Sequence, residues 1–332
     1  MLEVQDLTVE IRSGRSIVRP IEHISFALDA NETLGLVGES GCGKSTTLRA
    51  IIGLLPRGGR IVGGRILLDG RDLVKERRAE LQRVRGRSVA MVFQDPMSAL
   101  NPLMRVGEQI AEGPRAVLGY SRGHAREWVA DLMRRVGIPD PERRVNAYPY
   151  ELSGGLRQRI MIAIALSSKP KILLCDEPTT GLDVTIQDQI LKLLVKLQDE
   201  EGLSIIYVTH DLAVIAQLAR RLAVMYAGRI VEVGSVRDVF AAPSHPYTLA
   251  LLRCAPRADR ARTGLTPIGG TPPDMMAPPS GCRFHPRCPL AVDECASGDF
   301  PLVTVGSAHA TACIRWEECA QYAHKGLVMV RE

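Results

Sequence analysis

Aromatic side chains are scarce in this chain of 332 residues: Phe, Tyr and Trp together make up 4% of it. Base stacking needs such rings, and the arginines are scattered, so no dedicated nucleic-acid surface is expected. The net charge of +5 is too mild to supply one. No apolar run approaches the roughly 20 residues of a membrane-spanning helix. Met1-Leu2-Glu3 opens no secretory signal peptide, and the expected compartment is the cytoplasm. Heptad runs are also missing, which excludes a long coiled coil. What remains is 45% hydrophobic and 24% charged, the balance of a soluble globular protein with room for one large or two ordinary domains.

The stretch Gly38-Glu39-Ser40-Gly41-Cys42-Gly43-Lys44-Ser45-Thr46 fits the pattern G-x-x-x-x-G-K-[ST]. An apolar strand, Leu34 to Val37, leads into it. A helix leads out, with Leu48, Ile51, Ile52 and Leu55 on one face before Pro56. Gly38, Gly41 and Gly43 free the backbone to point its N–H groups at phosphate oxygens, and the helix adds its positive end. Lys44 is placed to reach β- and γ-phosphates and Ser45 to ligate Mg²⁺. A nucleoside triphosphate is the expected ligand.

A second acidic element answers this loop. Lys171 to Cys175 is an apolar strand that ends in Asp176-Glu177-Pro178. Carboxylates at the carboxyl end of a parallel strand lie where open α/β sheets bind ligands. Asp176 is placed to hold Mg²⁺ and Glu177 to polarise the attacking water. The strand Ser204–Val208 ends at Thr209-His210-Asp211, where His210 could meet the γ-phosphate.

Around these motifs, residues 2–11 alternate imperfectly and predict one or two edge strands, followed by a turn at Ser13-Gly14-Arg15 and a strand at 24–28. Residues 63–70 predict a strand and turn, and 71–87 a solvated helix. Ser88–Phe93 predicts a buried strand ending at Gln94. Residues 97–168 show no strand pattern and predict a helical insert, with helices near 105–118 and 124–137. The insert closes at Leu152-Ser153-Gly154-Gly155-Leu156, where Ser153 is a natural N-cap and two glycines permit close backbone approach to a phosphate. Helices are expected at 184–201 and 211–221, strands at 222–226 and 229–233, and a helical tail after His245-Pro246-Tyr247-Thr248. Residues 255–281 are rich in Pro, Gly and Arg and predict a linker or surface-wrapping coil.

In this order and spacing, the phosphate loop, Gln94, the Leu152–Gly155 signature, Asp176-Glu177, Gly181-Leu182-Asp183 and His210 resemble the nucleotide-binding subunit of an ABC transporter over residues 1 to about 240. Phe93 to Pro102 and His245-Pro246-Tyr247-Thr248 resemble its oligopeptide, dipeptide and nickel importer branch, which carries a C-terminal extension like the one from 241 to 332. The resemblance implies an α/β, P-loop ATPase core with an antiparallel β edge, a helical subdomain and a cysteine-rich extension. It implies ATP and Mg²⁺ as ligands, with Ser45, Gln94 and Asp176 around the metal, and catalytic roles for Glu177, His210 and Gln94. Ser153, Gly154 and Gly155 would meet the ATP of a second, homologous ATPase subunit or fused cassette. Two membrane permeases and an external solute-binding protein would complete the assembly, with this chain peripheral on the cytoplasmic face of the inner membrane. A soluble ABC ATPase acting on ribosomes or DNA is the alternative. Two positions depart from the family pattern: Leu156 stands where the signature often has Gln, and residues 10–25 hold no Phe, Tyr or Trp to stack on adenine, with Val18 near that place.

Of the eight cysteines, Cys42, Cys175 and Cys254 are dispersed and five crowd into the last fifth of the chain. Cys282, Cys288, Cys295 and Cys313 are spaced C-x5-C-x6-C-x17-C. Four thiolates suit a tetrahedral zinc or a [4Fe–4S] cluster. The lack of a C-x2-4-C knuckle and the Cys288-Pro289 step fit a cluster better, and the resemblance also implies one. Cys319 is left over, and His285 or His309 could replace a ligand. Free or disulfide-prone thiols are the remaining alternative.

Overall fold

The computed structural model describes residues 1–14, 16–254 and 267–324. They divide into two compact units, one from residues 1–28, 33–74 and 208 onward, the other from residues 29–32 and 75–207. In the first unit, β1 (Leu2–Ser13) and β2 (Ser16–Leu28) pair antiparallel, Leu2 opposite Leu28. After β3 (Thr33–Val37), β4 (Gly59–Leu68) pairs with the other side of β1, Leu2 opposite Leu68, and β5 (Arg71–Asp72) closes this sheet in the order β2-β1-β4-β5. β1 is therefore a central strand and not the edge expected from its sequence. Its broken alternation comes from register shifts around Asp6, whose φ is +50°. The stretch after β5 holds a short helix, Arg78–Val84, and no continuous one over 71–87. Arg15, in the expected turn, lies outside the described residues.

The helix after β3 runs Lys44–Ile51, and the chain turns at Gly53 (φ +67°), a turn before Pro56. Leu48 and Ile51 of the expected face are buried in the helix and Ile52 is buried at its C-cap, but Leu55 is not part of the helix.

The second unit places β6 (Val89–Val92) parallel to β7 (Ile172–Asp176), with Val92 opposite Cys175. Every residue of both strands is buried, which accounts for their unbroken apolar runs. Between them, residues 97–168 hold helices and no strand. Val106–Val117, Arg122–Arg135 and Gly154–Leu166 bury Ile110, Val129, Leu132, Met133, Ile160 and Ile162 against one another. The helix Val184–Glu201 begins where Asp183 accepts a bond from the Ile186 amide at 2.9 Å and ends at Gly202 in the left-handed region. β8 (Ser204–Thr209), buried throughout, carries the chain from the second unit into the first.

Back in the first unit, β9 (Arg221–Tyr226) lies parallel to β3, and β10 (Arg229–Ser235) forms a hairpin with it. The helix Pro246–Cys254 follows. Of the expected linker, residues 255–266 lie outside the described residues, and 267–281 form neither helix nor strand. The rest of the extension does not stand apart as a tail. β11 (Val303–Gly306) and β12 (His309–Thr311) add to the sheet, Glu232 pairing with Thr311, in the order β11-β12-β10-β9-β3. Trp316–His324 is its last described helix.

Candidate active site

Lys44, the first residue of its helix, is only 5% exposed, and its ammonium has been folded back over the loop. Nζ donates to the carbonyls of Gly38 at 2.7 Å and Glu39 at 3.0 Å. Two close approaches hold the loop to this shape. A Cβ on Gly38 would lie 2.1 Å from the Met225 carbonyl oxygen, and one on Gly43 (φ +108°) would lie 2.3 Å from that of Pro20. No side chain caps the amino end of this helix, the end whose dipole favours an anion. The Thr47 amide and hydroxyl both bond to the Gly43 carbonyl, at 2.9 and 3.0 Å, which ties the loop to the helix. Ser45 and Thr46 are half-buried and Ser40 is exposed. Cys42 is buried and its thiol is pushed up by burial, so it lines the loop as a neutral group.

His210 belongs to the same unit as this loop and is exposed, in the step between β8 and its following helix. That step is fixed by the Asp211 amide donating to Thr209 Oγ1 at 3.0 Å and by Asp211 capping Ala213 at 2.8 Å.

The second unit brings Gln94, Asp176 and Glu177 together at the carboxyl ends of β6 and β7, as the register of Val92 with Cys175 requires. Asp176 is 2% exposed; Glu177 is half-buried, with φ at +44°. A non-glycine residue in that region costs on the order of 1 kcal/mol, and it turns the carboxylate out of the strand direction. Thr180 Oγ1 donates to Glu177 Oε2 at 2.9 Å. Ser153 caps Gly154–Leu166 through the Leu156 amide at 3.4 Å. Ser153 and Gly154 are exposed, while Gly155 has a packing duty that the sequence reading missed: a Cβ there would lie 2.9 Å from Ile186 Cγ2.

The first unit also gathers Cys282, Cys288, Cys295 and Cys313 around one small cavity, with His245 and Phe284 beside them. The Cys282 amide donates to the Cys295 carbonyl at 2.8 Å, which closes the loop between them. Burial pushes the Cys288 and Cys313 thiols up to about 12 and raises Cys282 as well. Among the described residues, no group of three or more His, Cys, Asp or Glu is arranged to hold a single metal ion. Around one zinc, thiolates would stand about 3.8 Å apart. The set expected to carry a cluster, with zinc as the alternative, is thus not found as a formed metal site among the described residues. His309 is not a spare ligand either, because its Nε2 bonds to the buried Glu232 at 2.7 Å. Cys319 is buried outside the cavity lining. Burial lowers the His245 imidazole to about 3. Its Nδ1 accepts from the Tyr247 amide at 3.1 Å, so Nε2 carries the proton, and that buried N–H has no partner.

The ABC transporter family matches residues 21–180, and the oligopeptide/dipeptide transporter C-terminal region matches residues 231–295. The dipeptide transport ATP-binding protein DppD of Bacillus subtilis is 46% identical over 97% of both chains. The chain belongs to the ATP-binding subunits of peptide ABC importers. The oligopeptide transport ATP-binding protein OppD of Salmonella typhimurium is 44% identical, covering 95% of this chain and 93% of its own. A dimeric structure of a bacterial ABC transporter cassette superposes with a TM-score of 0.64 at 28% identity, over 71% of this chain and 99% of that one. The fold is accordingly the α/β ABC ATPase cassette with a mixed sheet and helical parts, and this subunit is an ATP-hydrolysing translocase component.

Proposed function

We propose that this subunit hydrolyses Mg²⁺–ATP through the residues named above and thereby drives uptake of peptides. The observation that carries the reading is the buried Lys44 ammonium, held on two loop carbonyls at an amino end that no side chain caps. A buried cation held by backbone carbonyls is poised to exchange them for phosphate oxygens, a stronger charge-assisted bond. Ser45, Asp176 and Gln94 would hold Mg²⁺, which would supply charge neutralisation on the phosphates. Glu177 orients and deprotonates the attacking water, and His210 contacts the γ-phosphate. Ser153, Gly154 and Gly155 meet the ATP of a homologous second subunit, so nucleotide binding favours the closed pair and hydrolysis releases it. Two permeases and an external binding protein complete the importer, with this chain at the cytoplasmic face of the membrane. Glu177→Gln is expected to bind ATP as the wild type does and to lose nearly all turnover in the assembled transporter. Wild-type turnover in that variant would remove Glu177 from the mechanism.

The same reading places a [4Fe–4S] cluster on Cys282, Cys288, Cys295 and Cys313. What supports it is the shared cavity and the unpartnered Nε2–H of His245 at the lining, a donor suited to cluster sulfur. Burial raises the Cys282, Cys288 and Cys313 thiols, which makes them weaker acids that need a metal's charge to ionise. Bound there, the group would cross-link a Pro-rich segment rather than transfer electrons. Protein purified without oxygen is expected to be brown, with absorbance near ~400 nm that Cys288→Ser removes. Colourless protein with one zinc per chain would establish zinc instead.

A further inference from the structure

Glu39, the second residue of the phosphate loop, is gripped at three points from within its own unit. Its carboxylate accepts two bonds from Arg287, at 2.7 and 3.1 Å. Its amide donates to the Tyr247 hydroxyl at 2.8 Å, and its carbonyl takes the Lys44 bond. Both outside partners come from the C-terminal extension, some 200 residues or more away in sequence.

These partners are built for that place. The Arg287 side chain is 4% exposed and Tyr247 is fully buried. Arg287 also donates to the Tyr226 hydroxyl at 3.1 Å and to the Gly269 carbonyl at 2.8 Å. Burial would weaken its charge, but the bonds to Glu39 and Tyr226 outweigh that, and it stays a guanidinium. Tyr226, Tyr247 and Phe284 pack ring against ring, with centroids 4.5 to 5.4 Å apart, and hold the two anchors rigid. Three of the chain's few aromatics are concentrated here.

The electrostatics explain the need. A carboxylate in a loop that accepts a polyanion opposes binding unless a cation neutralises it. A loop rich in glycine also has little side-chain packing to keep its own shape. We infer that Arg287 and Tyr247 are positioning residues for ATP: from the extension, they neutralise Glu39 and fix the phosphate loop in its anion-accepting form. The inference rests on the reading that residues 38–46 hold the nucleotide phosphates.

Equilibrium binding of a fluorescent ATP analogue with Mg²⁺ to the purified full-length chain tests it. Arg287→Ala is expected to weaken binding about tenfold, the scale of one charge-assisted bond. Adding Glu39→Gln to that variant is expected to restore much of the affinity, because it deletes the exposed negative charge. A merely structural lesion would not be cured by a second substitution. Tyr247→Phe, which removes one oxygen, is expected to weaken binding about threefold at an unchanged melting temperature, from the loss of one neutral hydrogen bond. In the assembled transporter it should raise the KM for ATP and leave kcat alone. Lys44→Ala serves as the reference and should abolish binding; if it does not, the phosphate-loop reading itself has failed. If Lys44→Ala abolishes binding while Arg287→Ala and Tyr247→Phe bind as wild type, the inference is overturned. An Arg287→Ala defect that Glu39→Gln leaves untouched also overturns it. Should Arg287→Ala not fold, Tyr247→Phe decides: wild-type affinity overturns the inference and weakened affinity supports it.

Discussion

At Gly43 two constraints meet in one residue, a φ of +108° and a backbone oxygen 2.3 Å from where a Cβ would sit. Neither can be relieved by turning a side chain, since the obstructing atom is the Pro20 carbonyl. Gly43→Ala should therefore cost about 1–3 kcal/mol of backbone strain and shift the loop off its helix. The expected result is a melting temperature lowered by several degrees and a larger, near-complete loss of ATP affinity, measured by thermal melts and equilibrium binding on the same sample. Loss of stability without loss of affinity would mean that the loop tolerates the shift. Glu177 is the other residue at which geometry and chemistry coincide: its positive φ is uncommon for a non-glycine residue, and it is also the carboxylate proposed to orient water.

Among elements, β2 is bound to the extension by charge. Glu22 on β2 is paired with Arg229 on β10 at 3.0 Å and with Arg283, which also donates to the Ala227 carbonyl. Burial alone would raise the Glu22 carboxyl, but the two guanidiniums outweigh it and hold it below its ordinary value of 4.5. The unfolded chain thus takes up a proton at this residue before the folded chain does as pH falls. This contribution is complete above about pH 4.5 and is lost as pH drops through the lowered folded value. Denaturant unfolding should show Glu22→Gln less stable than the wild type at pH 7, with the gap closing toward pH 3. An equal gap at both pH values would show that Glu22 acts by packing alone.

For the whole molecule, the decisive expectation is dependence on a partner. The signature residues Ser153 and Gly154 are exposed, and a similar cassette has been solved as a dimer. The isolated chain should therefore hydrolyse ATP poorly when dilute. Its rate should rise more than linearly with concentration, or on adding the homologous subunit and permeases. Fast hydrolysis that scales linearly with dilute monomer would contradict a site completed in trans. No helix among the described residues is long and apolar enough to cross a membrane.

The sequence by itself determined the elements whose signal is local. The phosphate loop, the buried runs of β6, β7 and β8, the helix Val184–Glu201 and the acidic end of β7 are legible because a spacing or an unbroken apolar run is set within about ten to twenty residues. The order of those motifs also identified the family. Tertiary structure alone decided which strand lies at an edge, because β1 gains its second neighbour from β4, whose paired residues lie 48 to 66 positions away. It decided that part of the extension joins the sheet through β12, and that Gly155 is small for the sake of Ile186. It also decided that Glu39 is neutralised by Arg287. The His245-Pro246-Tyr247 segment and the Cys288-Pro289 step beside Arg287 are visible in the sequence, but a residue's partner across 248 positions is chosen by the packing of the whole unit, and no local periodicity carries it.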